Sequence, residues 1–472
     1  MLRTRASWWA AGLWVSGSLL ACRPSPASSA PQPTTSHQIV ASSLALGVEA
    51  PPSGPEAATR SLVLRNARLI DGTGKAPRDD IDVRIVDGVI AEIGKDLVIE
   101  TPTPEIDLGG RTLLPGLIDA HVHMTSTPAK DYADSVVRDT VLSDADRALE
   151  GVRNARATLH AGFTTVRNVG GGLADRALRD AIVRGDVPGP RMLVANHAIG
   201  ITGGHCDGTN AMHPDIYPDR QDYRSGVADG PEQVRQAVRW QIKHGADVIK
   251  ICATGGVMSQ GDAVGASQMT PEEIAAAVAE ATRAERKVAA HAHGNEGIRN
   301  AIEGGVHSIE HGSILDAPTV AMLERHGTFL VPTVYVGKAV EARADSGGLS
   351  PESAAKARMI APKMRASFKL AYDGGVKIAL GSDAGVFAHG ENGKELSTMV
   401  SLGMKEMDAI VAGTSAAAEL LGVDNVGRVE VGMLGDVVVA DGDPLKDITL
   451  LEAPALVVKG GVVHVAPRWG VQ

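Results

Sequence analysis

The sequence predicts an α/β protein, a (β/α)₈ TIM barrel with a small β-sandwich domain formed from both chain ends. Eight short apolar runs alternate with helical patterns through the middle of the chain, and β-rich segments flank that middle on both sides. The 54 glycines among 472 residues suit the many tight turns of such a fold. An open doubly wound sheet is the structural alternative, and the placement of polar residues distinguishes the two.

The first 60 residues are predicted to precede the folded part. Residues 1–22 begin with basic residues and continue into a short apolar run, a pattern typical of a secretory signal peptide. The run is too short to span a membrane, and it ends in Leu-Ala-Cys22, which is similar to the lipidation site of bacterial lipoproteins. Ordinary cleavage near residues 27–30 is the alternative. Residues 23–60, rich in Pro, Ser and Ala, are predicted to be a flexible linker. We therefore expect an exported protein, periplasmic or anchored to the outer membrane as a lipoprotein.

Residues 61–114 and 423–466 are predicted to form a composite β-sandwich domain. Both segments alternate apolar and polar residues over short distances, as half-buried strands do. Asp87-Gly88 is a strong hairpin signal. The expected strands are residues 62–67, 82–86, 89–93, 435–440 and 455–463.

Residues 115–422 are predicted to form the barrel. Helical patterns lie between most of its apolar runs, and the pattern at 271–286 starts with a Thr cap, a Pro and two acids. Eight runs with helical crossovers suit a barrel, which needs about 250 residues. The runs are residues 117–122, 164–169, 191–195, 247–252, 287–290, 306–310, 328–331 and 376–380.

The net charge and the cysteine content exclude some classes of binding partner and a fold held together by several disulfides. The net charge of −10 argues against nucleic acid or an anionic membrane surface as a partner. The only membrane link that we expect is the N-terminal lipid anchor. Cys206 and Cys252 do not make a disulfide framework. We interpret both as small core residues, and the sequence leaves open a bridge between them.

Polar residues lie at or near the carboxyl ends of several predicted strands. In a barrel all strand ends meet at one mouth, whereas an open sheet spreads them along a line. Several imidazoles and a carboxylate that converge on one point are typical of a metal site. The pattern therefore favours the barrel and predicts metal-dependent chemistry. The residues are His121, His123, Lys250, His291, His293, His311 and Asp383.

Spacing within two strands helps to choose among the histidines. His121 and His123 are two residues apart, so both rings lie on the same side of a strand, and a shared cation explains the pair. His307 and His311 also share a face, because their separation is even. We expect His311, at the strand end, to be a ligand, and His307, nearer the barrel floor, to be structural.

The pattern alone leaves open the roles of the remaining candidates. His291 and His293 face the same way, and spacing does not choose which of them ligates. Lys250 lies within an apolar run, where an unpaired ammonium is costly, so we expect it to be paired or chemically neutralised. Asp383 follows an apolar run, and its place at the mouth favours function over a simple turn role.

The motifs at these positions resemble those of the amidohydrolase superfamily, in particular the branch of imidazolonepropionase-like proteins, secreted Xaa-Pro dipeptidases and carboxypeptidases, and ochratoxinase. The similarity covers residues 62–465. Together the motifs are highly specific, although each alone is modest evidence. They are GLIDAHVH at 116–123, VIKI at 248–251, ATGG at 253–256, HAHG at 291–294, HSIEHG at 307–312 and SDAG at 382–385.

The resemblance implies two divalent metal ions. Zn²⁺ suits the imidazole ligands, and Mn²⁺ or Co²⁺ is the alternative. The resemblance also implies that Lys250 is carboxylated and bridges both ions, which removes the cost of a buried ammonium. His293 would then bind substrate, as would His205, which follows two glycines in a loop after the third strand. The implied metal ligands are His121, His123 and Asp383 for one ion and His291 and His311 for the other.

The resemblance further implies hydrolysis of a C–N amide bond, of an Xaa-Pro-like dipeptide or an N-acyl amino acid, by a metal-bridging hydroxide. Asp383 would pass the proton to the leaving amine, and His205 or His293 would stabilise the oxyanion. Tyr223 or Arg224 would receive a substrate carboxylate, with a solvated arginine as the alternative.

Two other functions stay open. One is a mononuclear cyclic amidohydrolase or deaminase, similar to imidazolonepropionase. The other is a surface-anchored binding protein without activity. The sequence does not fix the oligomeric state, and a homo-oligomer is compatible with it.

Overall fold

The computed structural model describes residues 60–216 and 222–469. The predicted signal peptide, residues 1–22, and nearly all of the predicted linker, residues 23–60, lie outside the described residues. Export and lipidation therefore remain predictions. In the described ranges, no helix combines the length and apolarity that a membrane crossing requires.

The strands within the described ranges fall into three hydrogen-bonded sheets. They are β1 (Leu62–Leu69), β2 (Arg78–Val86), β3 (Val89–Gly94), β4 (Glu105–Asp107), β5 (Thr112–Pro115), β6 (Leu117–Val122), β7 (Phe163–Asn168), β8 (Arg191–Val194), β9 (Val248–Cys252), β10 (Lys287–Ala292), β11 (Ser308–His311), β12 (Phe329–Val331), β13 (Val437–Ala440), β14 (Leu456–Lys459) and β15 (Val462–Val465).

Most of the helices lie in the middle of the chain, between and after the parallel strands. They are α1 (Tyr132–Val141), α2 (Asp144–His160), α3 (Leu173–Arg184), α4 (Pro231–Lys243), α5 (Pro271–Arg283), α6 (Asn295–Glu303), α7 (Ala317–His326), α8 (Val334–Asp345), α9 (Pro351–Asp373), α10 (Lys394–Ser401), α11 (Glu406–Ala412) and α12 (Ser415–Leu421), with short 3₁₀ turns at Pro214–Ile216 and Ile448–Leu451.

The two chain ends share one sheet, in the order β15-β14-β13-β5-β1-β2-β3, with β4 beside β1. The ends meet where β5 pairs antiparallel with β13. These strands are connected by hydrogen bonds into one sheet, in which β1 pairs with β4 through its first half and with β5 through its second half. The division of this sheet into the two layers of a sandwich stays a prediction. Asp87 and Gly88 turn with φ of 50° and 82° between β2 and β3, which is the hairpin that this dipeptide predicts.

Seven of the eight predicted barrel runs form parallel strands. β6, β7 and β8 make a three-stranded sheet, and β9 to β12 make a four-stranded sheet. The eighth run, residues 376–380, is not assigned as a strand in the described structure. It contributes a single parallel bridge between Ile378 and Leu330 of β12.

Isolated parallel bridges connect these two sheets at both edges. Ile199, just after β8, bridges Ile251 of β9. Ala384, just after the eighth run, bridges Val122 at the end of β6. The residues at the carboxyl ends of the parallel strands are therefore brought near one another from both directions.

Helix α5 illustrates how local sequence fixes the outer layer. Thr270 accepts a hydrogen bond from the backbone N–H of Glu273, whose side chain in turn accepts one from the Thr270 N–H. The buried face of the helix includes Ile274, Ala277 and Ala281. These small apolar residues let the helix pack closely on the parallel strands.

The structure corrects the interpretation of the two cysteines as separate core residues. Cys206 and Cys252 form a disulfide, with their Cα atoms 6.0 Å apart. The chain after β8 runs beside β9, which brings the following loop back over the end of that strand. Gly200 lies against the bridge, since a Cβ there would stand 3.0 Å from the Cβ of Cys206.

Candidate metal centre and active site

Six histidine side chains from different parts of the chain form one cluster. His291 lies at its centre, with ring centroids 4.0 Å from His205, 4.6 Å from His293 and 4.7 Å from His311. His121 continues the cluster, 4.9 Å from His311 and 5.3 Å from His123. The five histidines predicted at strand ends are therefore brought together, with His205 beside them.

Asp383 joins the cluster at the His121 end. Its Oδ1 atom lies 3.6 Å from Nε2 of His121 and 3.2 Å from Nε2 of His123. One ligand atom from each of the three residues lies within 4.8 Å of the others. Two imidazoles and a carboxylate at this spacing can hold one divalent cation.

Most of these rings are fixed from behind through Nδ1. With Nδ1 held in this way, Nε2 is left to face the centre of the cluster. Metal-binding histidines commonly have such a partner on their other ring nitrogen. The Nδ1 contacts are His121 to Glu310 Oε2 (2.8 Å), His123 to the Gly170 carbonyl (2.8 Å), His293 to Ser313 Oγ (2.7 Å) and His311 to Thr333 Oγ1 (2.8 Å).

His291 provides the test of whether the site fits a metal ion. The residue is 4% exposed, and its Nε2 atom has no hydrogen-bond partner among the described residues. A buried polar atom without a partner costs about 1–3 kcal/mol. Coordination of a cation would satisfy this atom, so the residues present fit a divalent metal.

Lys250 lies in the middle of β9 and is 4% exposed. Burial lowers the pKa of its ammonium to about 8, although Glu310 and Asp383 raise it in part. About a tenth of the side chain is therefore a neutral amine at pH 7, far more than for a lysine with the ordinary pKa. This is the nucleophilic form that reaction with CO₂ requires.

Burial also keeps most of the cluster neutral. It lowers the pKa of His121, His291 and His311 well below the ordinary value. The neutral imidazole is the form that binds metals. Burial alone would raise the pKa of Asp383, but His121, His123 and Lys250 lower it below its ordinary value, so Asp383 is ionised.

Burial would also lower the pKa of His123, but its hydrogen bond to Asp383 raises that pKa above the ordinary value. His123 is thus the imidazole of this pair that the carboxylate stabilises in its charged form.

Three residues at the site adopt left-handed backbone conformations. His311 has a φ of 73°, Thr333 of 49° and Asp383 of 64°. Such conformations cost about 1–3 kcal/mol each for residues other than glycine and concentrate at functional sites. The backbone thus holds a ligand-type histidine, its Nδ1 partner and the carboxylate in strained positions.

The cluster opens into a cavity of about 640 Å³. Predicted site residues His205 and His293 line it, together with Lys250 and Asp383. One wall is apolar and comes from α8 and α9. Its side chains include Val336, Val340, Ile360 and Met364.

The two predicted carboxylate receptors are not among the described residues that line the cavity. Arg224 is 53% exposed and forms an ion pair at 2.8 Å with Asp222, two residues earlier. Tyr223 packs edge-on against Trp240, with ring centroids 5.8 Å apart. The structure therefore shows Arg224 in the solvated arrangement that the sequence leaves open.

Sequence reasoning missed the residues that support the histidines. Glu310 and Arg167 form a buried ion pair at 2.8 Å behind His121. The signal for Glu310 is a carboxylate inside a buried strand, in the motif that already supplies His311. The Ser259 hydroxyl lies 2.8 Å from Nδ1 of His205 and donates a hydrogen bond to Asp262. Nothing local in the sequence marks either residue.

The chain is an α/β protein whose parallel strands carry a cluster of histidines and a carboxylate at their ends. A site of this kind is typical of metal-dependent hydrolases. The amidohydrolase family matches residues 112–464, and the chain belongs to that family. It is a hydrolase that acts on C–N bonds.

Several proteins and solved structures are similar to this chain. Ochratoxinase of Aspergillus niger is 33% identical over 423 residues, which cover 85% of this chain and 86% of that protein. A Xaa-Pro dipeptidase crystallised with methionine in its active site is 38% identical, with a TM-score of 0.81, and covers 85% and 99% of the two chains. A prolidase in complex with N-methylphosphonate-L-proline is 32% identical, with a TM-score of 0.77 and the same coverage.

Proposed function

We propose that this protein is a binuclear metal-dependent hydrolase that cleaves the amide bond of a dipeptide or an N-acyl amino acid. The observation that carries the proposal is the convergence of five histidines, Asp383 and a buried lysine on one cavity. The chain also belongs to a family whose members hydrolyse C–N bonds.

We assign the metal ligands as the resemblance implies. His121, His123 and Asp383 would hold one ion, and His291 and His311 would hold the second. A neutral Lys250 amine would add to CO₂ with loss of a proton, and the resulting carbamate would bridge the two sites. When bound, the metals supply activation of water and polarisation of the scissile carbonyl.

The residues of the chain would then complete the reaction. Asp383, which is ionised, accepts the proton released by the attacking water and delivers it to the leaving nitrogen. His293, held by Ser313, lies next to the second ligand set and contacts the substrate. His205, whose ring stacks on that of His291, also contacts the substrate.

The proposed substrate class rests on the relatives and on the cavity. The similar structures include proteins called Xaa-Pro dipeptidase and prolidase. The apolar wall formed by Val336, Val340, Ile360 and Met364 suits an apolar side chain or acyl group. We therefore expect substrates with an apolar group beside the scissile amide.

We also infer that the eight predicted segments close into a barrel. The bridges from Ile199 to Ile251 and from Ala384 to Val122 support this closure. The carboxyl ends of the parallel strands carry the site, as in barrel enzymes.

The experiment is a screen for amino-acid release. The purified protein is loaded with Zn²⁺ and bicarbonate and incubated with a library of L-dipeptides and N-acyl amino acids. We expect release by the wild type and by Lys243→Ala, an exposed lysine on α4, but not by Lys250→Ala. Activity that survives in Lys250→Ala would favour the mononuclear alternative. An absence of release from every compound would overturn the peptidase proposal.

A further inference from the structure

A largely buried hydrogen-bond network lies against the Nδ1 atom of His205. The Nδ1 atom of His205 lies 2.8 Å from the Ser259 hydroxyl. That hydroxyl lies 2.8 and 2.9 Å from the two carboxylate oxygens of Asp262. Asp262 in turn forms an ion pair at 2.7 Å with Lys356 of α9. The network thus runs from Lys356 on α9 to the wall of the cavity.

Asp262 is placed to be an ionised acceptor. Its side chain is 6% exposed and that of Lys356 is 10% exposed, so the ion pair is largely shielded from water. The backbone N–H of Gly256 and the side-chain amide of Gln268 also donate to it, at 3.1 and 3.2 Å. An ionised carboxylate can only accept hydrogen bonds, and four donors surround this one.

The proton count along the network then fixes the tautomer of His205. Ser259 has one hydroxyl proton, and that proton is directed to Asp262. The contact between Ser259 and His205 therefore needs a proton from the histidine, so Nδ1–H is the donor. In the neutral ring this leaves a lone pair on Nε2, the nitrogen that remains for the cavity.

The ring has no room to turn over and exchange its two nitrogens. A Cβ at Gly256 would stand 2.3 Å from Nδ1 of His205, so the ring lies directly on that glycine. His291 stacks on the ring at 4.0 Å. The backbone N–H of His205 donates to Gln268 at 2.9 Å, which holds the loop as well as the ring.

We propose that Ser259, Asp262 and Lys356 are positioning residues that hold neutral His205 with its proton on Nδ1, so that Nε2 offers the substrate a hydrogen-bond acceptor. The group that His205 recognises is then an N–H donor of the substrate: the free amine of a dipeptide, or the scissile amide of a substrate other than Xaa-Pro, whose amide carries no N–H. This differs from the contact with a carbonyl or carboxylate that the resemblance implies, because such a contact needs an N–H on His205. The inference about the substrate group rests on the proposed function, whereas the tautomer does not.

The tautomer can be measured without a substrate or a metal. The full chain is labelled with ¹⁵N-histidine, and long-range ¹H–¹⁵N spectra are recorded at neutral pH on the metal-free protein, with His205→Gln to assign the signals. We expect a protonated Nδ1 and an unprotonated Nε2 at His205. A protonated Nε2 in the wild type would overturn the proposal and would leave the hydrolase assignment intact.

Substitutions in the network distinguish a role in positioning His205 from a role in packing alone. Ser259→Ala removes the acceptor for Nδ1–H, so we expect His205 to shift toward the tautomer with its proton on Nε2. We expect Ser259→Thr, which keeps the hydroxyl, to restore the wild-type spectrum. Asp262→Asn is expected to redirect the Ser259 proton to His205, while Lys356 keeps its second partner, Glu352, at 2.9 Å. Glu352→Gln is the matched control and should leave the spectrum unchanged.

The same variants give a kinetic readout once a substrate is known. We expect Ser259→Ala to lower kcat/KM about 10–100-fold, as loss of such an orienting partner commonly does, with recovery in Ser259→Thr. The loss should be smaller for a substrate whose recognised nitrogen is methylated, because that substrate has already lost the N–H donor. An equal loss on both substrates, or no loss in Ser259→Ala, would contradict the role in recognition.

Discussion

The Nδ1 atom of His121 lies 2.8 Å from Oε2 of Glu310, a carboxylate that is fully buried beneath the candidate metal centre. The other carboxylate oxygen accepts a hydrogen bond from Arg167 at 2.8 Å. The ion pair therefore orients the imidazole of His121 and directs its Nε2 toward Asp383. This arrangement joins a strand of one sheet to a strand of the other directly behind the site.

Glu310→Gln tests the importance of that orientation. We expect zinc affinity to fall about 10–100-fold, because the glutamine binds the His121 ring more weakly. We also expect lower stability, by about 3–5 kcal/mol, because buried Arg167 loses its charged partner. Zinc content after dialysis and a thermal melt measure the two effects. Glu303→Gln, on the exposed end of α6, is the control. Unchanged zinc content in Glu310→Gln would contradict the orienting role.

Asp383→Asn separates metal binding from proton transfer. The amide oxygen can still face His121 and His123, but the side chain can no longer accept a proton at the reacting centre. We expect metal to be retained and kcat to fall by about 10²–10⁴-fold. Metal analysis and kinetics on the same preparation check both parts. Asp373→Asn, at the exposed end of α9, should match the wild type. Substantial kcat in Asp383→Asn would assign the proton transfer to another residue.

His389 predicts how stability depends on pH. Burial lowers its pKa to about 4, and its Nε2 atom donates to the carbonyls of His123 and Ser126. The unfolded chain takes up a proton near pH 6.5, whereas the folded chain does so only near the lowered pKa. Stability is therefore greatest above pH 6.5 and is lost as pH falls toward 4, by about 3 kcal/mol from this residue.

The measurement compares urea denaturation of the metal-free wild type and His389→Gln across this pH range. Other buried histidines contribute to the same trend, so the difference in slope between the two proteins is the relevant quantity. We expect a shallower loss in the variant. Equal slopes would show that His389 does not contribute.

The disulfide gives a separate prediction. Cys206 and Cys252 are 46 residues apart, and the bridge ties the loop that carries His205 to the end of β9. Its loss in Cys206→Ser with Cys252→Ser is expected to cost about 2–4 kcal/mol. Thermal melts with and without reductant measure the effect. Reductant should lower the melting temperature of the wild type and leave the double variant unchanged. A wild type that is insensitive to reductant would contradict a stabilising bridge.

The strand pattern was predictable because buried parallel strands are continuous apolar runs, and seven of the eight runs are strands. The run at 376–380 escapes assignment because it makes only a single bridge, at Ile378. The different surroundings of two histidines were also predictable from their positions along the strand. His311 joins the histidine cluster, whereas Nδ1 of His307 accepts a hydrogen bond from the backbone N–H of Val288.

What the sequence did not reveal are the contacts that join distant segments. Asp262 and Lys356 are 94 residues apart, and no periodicity links a loop carboxylate to a lysine on α9. The disulfide depends in the same way on a loop that returns to β9. Arg224 was a reasonable candidate by chemistry, but its own neighbour Asp222 pairs with it. Short-range charge pairing of this kind competes with any role in substrate binding.

The most direct test of the account is a zinc titration of hydrolysis. Chelated protein is mixed with bicarbonate and a substrate found in the screen, and amino-acid release is measured as Zn²⁺ is added. We predict no release without metal and a rise that saturates at two zinc ions per chain. Full activity in the chelated protein would contradict metal-dependent hydrolysis, and saturation at one ion would contradict the binuclear site.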